Sequence, residues 1–170
     1  MLVLALVAVL AALFWRPAAR AVSFRAAYRA IARNFPGVPQ WTAEQAAARL
    51  PEAQLLDVRE PAEYAVSHLP GARQVAPEAD AAARARTLDP ARPVVVYCSI
   101  GWRSSALAQR LQAAGFTNVA NLHGSLFAWA AEGRPLESNG VPARVVHPYS
   151  PQYSFLLPAR LVAAVPTAGE

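Results

Sequence analysis

The chain has 170 residues and a formal net charge of +5, which allows one domain with an appendage and excludes two full domains. Its single cysteine excludes an intrachain disulfide framework and a cysteine-built structural zinc site. All sixteen basic residues are arginine; Arg16, Arg20, Arg25, Arg29 and Arg33 precede every acidic residue, and the other eleven are matched by eleven Asp and Glu. The excess charge therefore belongs to the N-terminal segment, and a broad nucleic-acid-binding face is excluded.

Residues 1–15 are almost wholly apolar, and Arg16-Pro17 closes the run. A helix of that length covers roughly 22 Å of a hydrocarbon core about 30 Å thick. Ala18 and Ala19 extend it, and Arg16 can snorkel. Residues 1–19 are expected to form a retained membrane anchor that contacts lipid. A cleaved signal peptide is the competing reading, but Arg16 and Arg20 intrude where a small-x-small cleavage site belongs. The arginines after the run give a single-pass protein of the cell inner membrane with its domain on the cytoplasmic side.

Phe24, Tyr28, Ile31 and Phe35 then recur at helical spacing beside Arg25, Arg29 and Arg33. The segment 20–37 is a basic amphipathic helix and linker, lying either along anionic headgroups or with its aromatic stripe packed on the domain. Pro36, Gly37 and Pro39 punctuate the chain, so the compact domain is set at residues 38–137.

Within it, Thr42 and Gln45 form a capping box opening a helix through Leu50. Gln54 to Val58 is a short strand, and Pro61 sits in the first turn of a helix carrying Glu63 and Tyr64. Ser67-His68-Leu69-Pro70-Gly71-Ala72 reads as a tight turn, Gln74 to Ala76 as a strand, and Pro77 through about Leu88 as an Ala-rich helix. Val94 to Tyr97, apolar at consecutive positions, reads as a strand buried on both faces. A helix through Leu111 follows, closed by Gly115. Asn118 to Leu122 is the next strand, and the helix after Gly124 carries Phe127 and Trp129 as core residues.

Alternating strands and helices predict a small α/β domain with a mostly parallel central sheet flanked by helices, in addition to the N-terminal membrane helix. Residues 138–170 are a Pro-broken C-terminal extension that docks back on the domain or the helix before it, with no catalytic logic visible in its residues.

The stretch from Val94 to Ser105 organises this domain. Cys98 lies where the buried strand ends, a loop with Gly101 and Arg103 follows, and a helix begins. In parallel sheets the site sits at this edge. The reactive form of cysteine is the thiolate, which a helix N-terminus or a cation such as Arg103 favours. Gly101 permits close backbone approach, and Arg103 offers a forked anion contact. Cys98 therefore reads as an accessible nucleophile, with a buried structural cysteine as the alternative.

Over residues 38–137 the sequence resembles a single-domain rhodanese-like sulfurtransferase. The matching blocks are Leu55-Leu56-Asp57-Val58-Arg59-Glu60 with Glu63-Tyr64, then His68-Leu69-Pro70-Gly71-Ala72, then Val94 to Cys98 with Gly101 and Arg103-Ser104, and finally Gly115-Phe116 with Val119 and Leu122 to Gly124. Ser67 stands where the family usually has glycine.

The resemblance implies that Cys98 carries a persulfide, taking sulfane sulfur from thiosulfate or a persulfide donor. A thiol, free or borne on a protein, or cyanide accepts it. Ser99, Ile100, Gly101, Trp102, Arg103 and Ser104 would bind substrate, with Arg103 on the donor's anionic end. Asp57, Arg59 and His68 would support the loop, His68 as a turn histidine before a base. No cofactor and no metal is implied. Ile100 and Trp102 are bulky and apolar, unlike the basic loops of rhodaneses that handle thiosulfate well, so a protein-borne or membrane-associated persulfide fits equally.

Two other readings remain. One is a non-catalytic or redox-sensing membrane-tethered interaction module. The other is an arsenate reductase or phosphatase of related fold, disfavoured because those loops are longer than the four residues between Cys98 and Arg103.

Overall fold

The computed structural model describes residues 2–76, 83 and 86–164, with side chains from residue 18 onward. Helix α1 (Leu2–Asn34) is continuous over 33 residues, so the segments 1–19 and 20–37 share one helix through Asn34. The strong helix formers Ala18, Ala19, Arg20 and Ala21 carry it onward as one rod about 50 Å long. The side chains of residues 1–17 of the proposed anchor lie outside the described residues. Among the described residues no helix is long and apolar enough to cross a membrane.

The later half of α1 decides between the two placements of its aromatic stripe. Ile31 and Phe35 are buried, and Phe24 and Tyr28 pack against the core. Tyr28 leans on His123 with ring centroids 4.3 Å apart. Arg25, Arg29 and Arg33 are left exposed.

A five-stranded, wholly parallel sheet has the order β1 (Gln40–Trp41), β5 (Val119–Leu122), β4 (Val94–Tyr97), β2 (Gln54–Asp57), β3 (Arg73–Gln74). Helices α2 (Ala43–Ala47), α3 (Pro61–Val66), α4 (Trp102–Ala113) and α5 (Ser125–Ala131) accompany it. α2 is shorter than expected, although Thr42 and Gln45 do form the capping box. β3 begins before Gln74, and the expected helix from Pro77 lies mostly outside the described residues.

Strand β4 is central, and alternation divides the core about it. Val95 and Tyr97 pack with Leu55, Leu122 and Phe127. Val94, Val96 and Cys98 pack with Leu56, Leu107 and Leu111 of the other layer, where Ile31 and Phe35 also sit. The register sets Leu56 beside Val96 and Asp57 beside Tyr97, so β2 and β4 end at nearly the same level.

Two elements were not expected: the short edge strand β1, and a hairpin of β6 (Glu137–Ser138) and β7 (Val141–Pro142). Asn139 and Gly140 turn the hairpin with φ of 50° and 76°, the left-handed pair that such a tight connection requires. Beyond it the extension docks back, as expected. The Val146 N–H donates to the Leu161 carbonyl at 2.7 Å, Leu156 and Leu157 are buried, and the 3-10 turn Pro151–Leu156 packs against α1.

Candidate active site

The site is the loop between β4 and α4. At its start the chain is gripped by the first turn of α5: the Leu126 and Phe127 N–H groups donate to the carbonyls of Cys98 and Ser99, each at 3.1 Å. The Ser125 hydroxyl accepts from the Cys98 N–H at 3.3 Å. With the Cys98 and Ser99 carbonyls held by α5, the loop curls the Gly101 amide onto the sulfur. The Gly101 N–H donates to Cys98 Sγ at 3.1 Å.

Gly101 makes this curl possible. Its φ is +113°, and a Cβ there would stand 3.1 Å from Asn121 Nδ2 and 3.3 Å from Ile31 Cδ1. Ser104 is buried with its hydroxyl donating to Asn121 Oδ1 at 2.6 Å, and Asn121 reaches Gln40 Oε1 at 2.7 Å. Ser104 thus anchors the loop's exit to β5 and β1 and does not face the cavity.

A cavity of about 330 Å³ opens on the loop, and Cys98, Ser99, Ile100, Trp102 and Arg103 contribute to its wall. Although Cys98 contributes to the cavity wall, it is only 1% exposed and packs with Val96, Leu107 and Leu111. This corrects the expectation of an accessible thiol. The sulfur is last on the β4 side that packs under α4, and the loop folds over it.

Arg103 is also not where a free anion ligand would be. Its guanidinium makes a forked pair with Glu63, Nη1 to Oε2 at 2.7 Å and Nη2 to Oε1 at 2.9 Å, and Nη2 also reaches Ser99 Oγ at 3.1 Å. The same carboxylate accepts from the Ser99 hydroxyl at 3.0 Å and the Glu60 N–H at 3.1 Å, so all its main acceptor directions are filled. Burial alone would push the Glu63 carboxyl up, but Arg103 and these donors together bring it below its ordinary value. Burial likewise opposes the Arg103 charge, yet Glu63 and the neighbouring Cys98 sulfur raise its pKa.

A family model described as a rhodanese-like domain matches residues 42–132. The chain belongs to the rhodanese-like family.

The uncharacterised protein YqhL of Bacillus subtilis is 36% identical over 91 residues, which are 54% of this chain and 71% of that protein. A sulfurtransferase of Allochromatium vinosum is 38% identical over 82 residues, covering 48% and 76%. Among solved structures, the thiosulfate sulfurtransferase of Pseudomonas aeruginosa superposes with a TM-score of 0.56 at 32% identity, across 61% of this chain but only 21% of that one. A rhodanese-like domain from Anabaena gives 0.54 at 35% identity, covering 59% and 79%.

In this rhodanese-like domain the residues expected to support the loop are built into the scaffold. Asp57 and Arg59 are fully buried, with Arg59 Nη2 on Asp57 Oδ2 at 2.6 Å and on the Ser67 carbonyl at 2.6 Å. Arg59 Nη1 also donates to the Glu63 carbonyl at 3.2 Å. Burial disfavours the Arg59 charge, but the Asp57 carboxylate outweighs it. The pair therefore fixes both ends of α3, the helix that presents Glu63. His68 stacks on Tyr64 at 3.7 Å, and its Nδ1 lies 3.0 Å from the Tyr64 carbonyl. That is the geometry of a turn histidine, and His68 is not among the residues lining the cavity.

The sequence reading missed two contributions. Glu63, quoted only as a motif residue, is the partner of Arg103. The extension, credited with no role at the site, supplies Tyr149, Tyr153 and Leu156 to the cavity wall. Arg103 lies over the Tyr149 ring, 4.9 Å from its centroid. Among the described residues no cluster of His, Cys, Asp and Glu could hold a metal ion.

Proposed function

We propose that this protein is a sulfurtransferase that carries sulfane sulfur as a persulfide on Cys98. The observation that carries the reading is Cys98 in the wall of an open cavity, its sulfur accepting the Gly101 N–H at 3.1 Å at the head of α4. An N–H aimed at the sulfur, inside a loop whose carbonyls are held by α5, is a fixed donor for charge on the thiolate and then on the persulfide.

With thiosulfate as donor, the Cys98 thiolate attacks the outer sulfur. A new S–S bond forms, the donor's S–S bond breaks, and sulfite departs with the electron pair. An acceptor thiolate or cyanide then attacks the outer sulfur of the persulfide and regenerates the Cys98 thiolate. Ser99, Ile100 and Trp102 line the path of the donor, and Gly101 holds the sulfur. Arg103 and Ser104 hold the loop.

The commitment of Arg103 to Glu63 weighs against a phosphatase or arsenate reductase, which needs its arginine free for a tetrahedral oxyanion. The same proposal extends to location, with residues 1–19 as a lipid-contacting tether at the inner membrane and the domain on the cytoplasmic side. Its support is the apolar run followed by arginines, three of which α1 leaves exposed. Strong activity of a periplasm-dependent reporter fused to the C-terminus would overturn that sidedness.

The test of transfer is direct. The full chain, incubated with thiosulfate or polysulfide, gains the mass of one sulfur on Cys98, and Cys98→Ser gains none. Failure to gain sulfur from any sulfane donor refutes the reading.

A further inference from the structure

The cavity over Cys98 is walled on its outer side by residues that the family match does not include. Residues 42–132 supply the loop and Phe127, while Tyr149, Tyr153 and Leu156 come from the extension. Tyr149 and Tyr153 form a tilted ring pair with centroids 5.6 Å apart. Both are exposed, at 50% and 39%, and Trp102, which lines the same cavity, is exposed at 45%. Three exposed aromatics around one opening leave apolar surface in water that a ligand would cover.

Tyr149 is held there against its backbone preference. Its φ is +69°, a left-handed conformation that a bulky residue rarely adopts. It is kept by the Tyr149 N–H donating to His147 Nδ1 at 3.1 Å and by the ring lying on Arg103.

The charge balance narrows what could enter. Among the described residues lining the cavity Arg103 is the one cation, and Glu63 already neutralises it. A donor dianion approaching a thiolate here would meet no uncompensated positive charge. A donor whose sulfane sulfur is borne on an apolar organic group carries less charge and gains the aromatic wall.

Accepting sulfur transfer at Cys98 as proposed above, we infer that Tyr149 and Tyr153 make the site selective for sulfane sulfur carried on an apolar organic group, in preference to inorganic thiosulfate. The probes are organic thiosulfonates. The Cys98 thiolate attacks the terminal sulfur of R–SO2–S⁻, the bond from that sulfur to the sulfonyl sulfur breaks, and the sulfinate R–SO2⁻ leaves with the electron pair. Charge and atoms balance, and no other reactant is needed. Benzenethiosulfonate and methanethiosulfonate have equal charge and the same type of leaving group, and differ in apolar area.

The experiment measures kcat/KM of the full chain for both thiosulfonates and for thiosulfate, with cyanide as the common acceptor and each donor normalised to its reaction with free cysteine. The wild type is expected to favour the benzene over the methane compound by about tenfold, the discrimination an apolar pocket achieves, and to use thiosulfate least. Tyr153→Ala lowers that ratio toward one by slowing the benzene compound more than the methane compound. Tyr149→Asn does the same and adds no backbone strain, because asparagine tolerates left-handed backbone. A wild-type ratio near one, thiosulfate as the best donor, or variants that slow all three donors equally overturns the inference while leaving sulfur transfer intact. No sulfur on Cys98 from any of the three refutes the transfer reading itself.

Discussion

Replacing Glu63 with glutamine tests whether the site is built as an ion pair or as a free anion-binding arginine. Glu63 is 3% exposed and Arg103 21% in their side chains, and the carboxylate takes hydrogen bonds from Arg103, Ser99 and the Glu60 N–H. Glutamine keeps one oxygen and turns an amide toward donors on the other side. Breaking a fully buried pair from one partner costs about 3–5 kcal/mol; the partial exposure of Arg103 brings the expectation to about 2–3 kcal/mol. For a chain of this size that is a fall in Tm of roughly 4–12 °C.

The pair also sets a pH dependence. Because the folded Glu63 carboxyl lies below its ordinary value, its stabilisation is present above the unfolded carboxylate pKa and is lost as pH falls through the folded one. Thermal unfolding followed by circular dichroism between about pH 3 and pH 7 should show this component in the wild type and not in Glu63→Gln. Adding Arg103→Met to Glu63→Gln should recover part of the loss, since no unpaired charge is then buried. The freed guanidinium of the single variant should also improve thiosulfate use relative to benzenethiosulfonate. A Glu63→Gln protein as stable as the wild type, or a double variant whose losses simply add, would refute the reasoning.

Gly101→Ala should cost about 1–3 kcal/mol by denaturant titration, because φ of +113° and the approach to Asn121 and Ile31 both oppose a Cβ; sulfur transfer to Cys98 should fall with it. Tyr97→Phe removes the buried hydroxyl that accepts the Leu69 N–H at 3.0 Å, and an orphaned donor costs about 1–3 kcal/mol in the same assay. Burial holds the His147 imidazole below its ordinary value, the largest influence on it, with Glu63 opposing and Arg59 and Arg103 assisting. Its stabilisation is therefore present above the unfolded histidine value of about 6.5 and lost as pH falls below it. His147→Asn, which can still accept the Tyr149 N–H, should flatten the Tm profile over that range; an unchanged profile would show that His147 is not its source.

The heart of the fold was legible because its signals are local. Val94 to Tyr97 is consecutively apolar, as a strand covered on both faces must be, and Gly101 and Arg103 mark a loop before a helix. β1 has two residues and therefore no period to read. The hairpin did leave a signal in Asn139-Gly140, but the flanking strands are too short to frame it. The partner of Arg103 was hidden for another reason. Glu63 lies 40 residues away, in the first turn of α3, where an acid serves the capping box equally well. Tyr149 and Tyr153 sit in a Pro-broken stretch whose fold depends on long-range contacts such as the Ser67 hydroxyl on the Val145 carbonyl, 78 residues apart.

Two segments outside the family match converge on the active loop. From α1, Phe35 meets Trp102 edge-on at 5.4 Å, and Ile31 stands where a side chain at Gly101 would go. From the extension, Tyr149 covers Arg103, and the 3-10 turn carrying Tyr153 and Leu156 packs back on α1. The loop that positions Cys98 is thus enclosed by packing that the rhodanese-like core does not supply. A loop is the least constrained part of a parallel α/β domain, and its side-chain walls are what change most cheaply while the strand and helix that aim the nucleophile stay fixed. On the proposed reading, selectivity resides in the segments outside the family match, and the sulfur chemistry in the core.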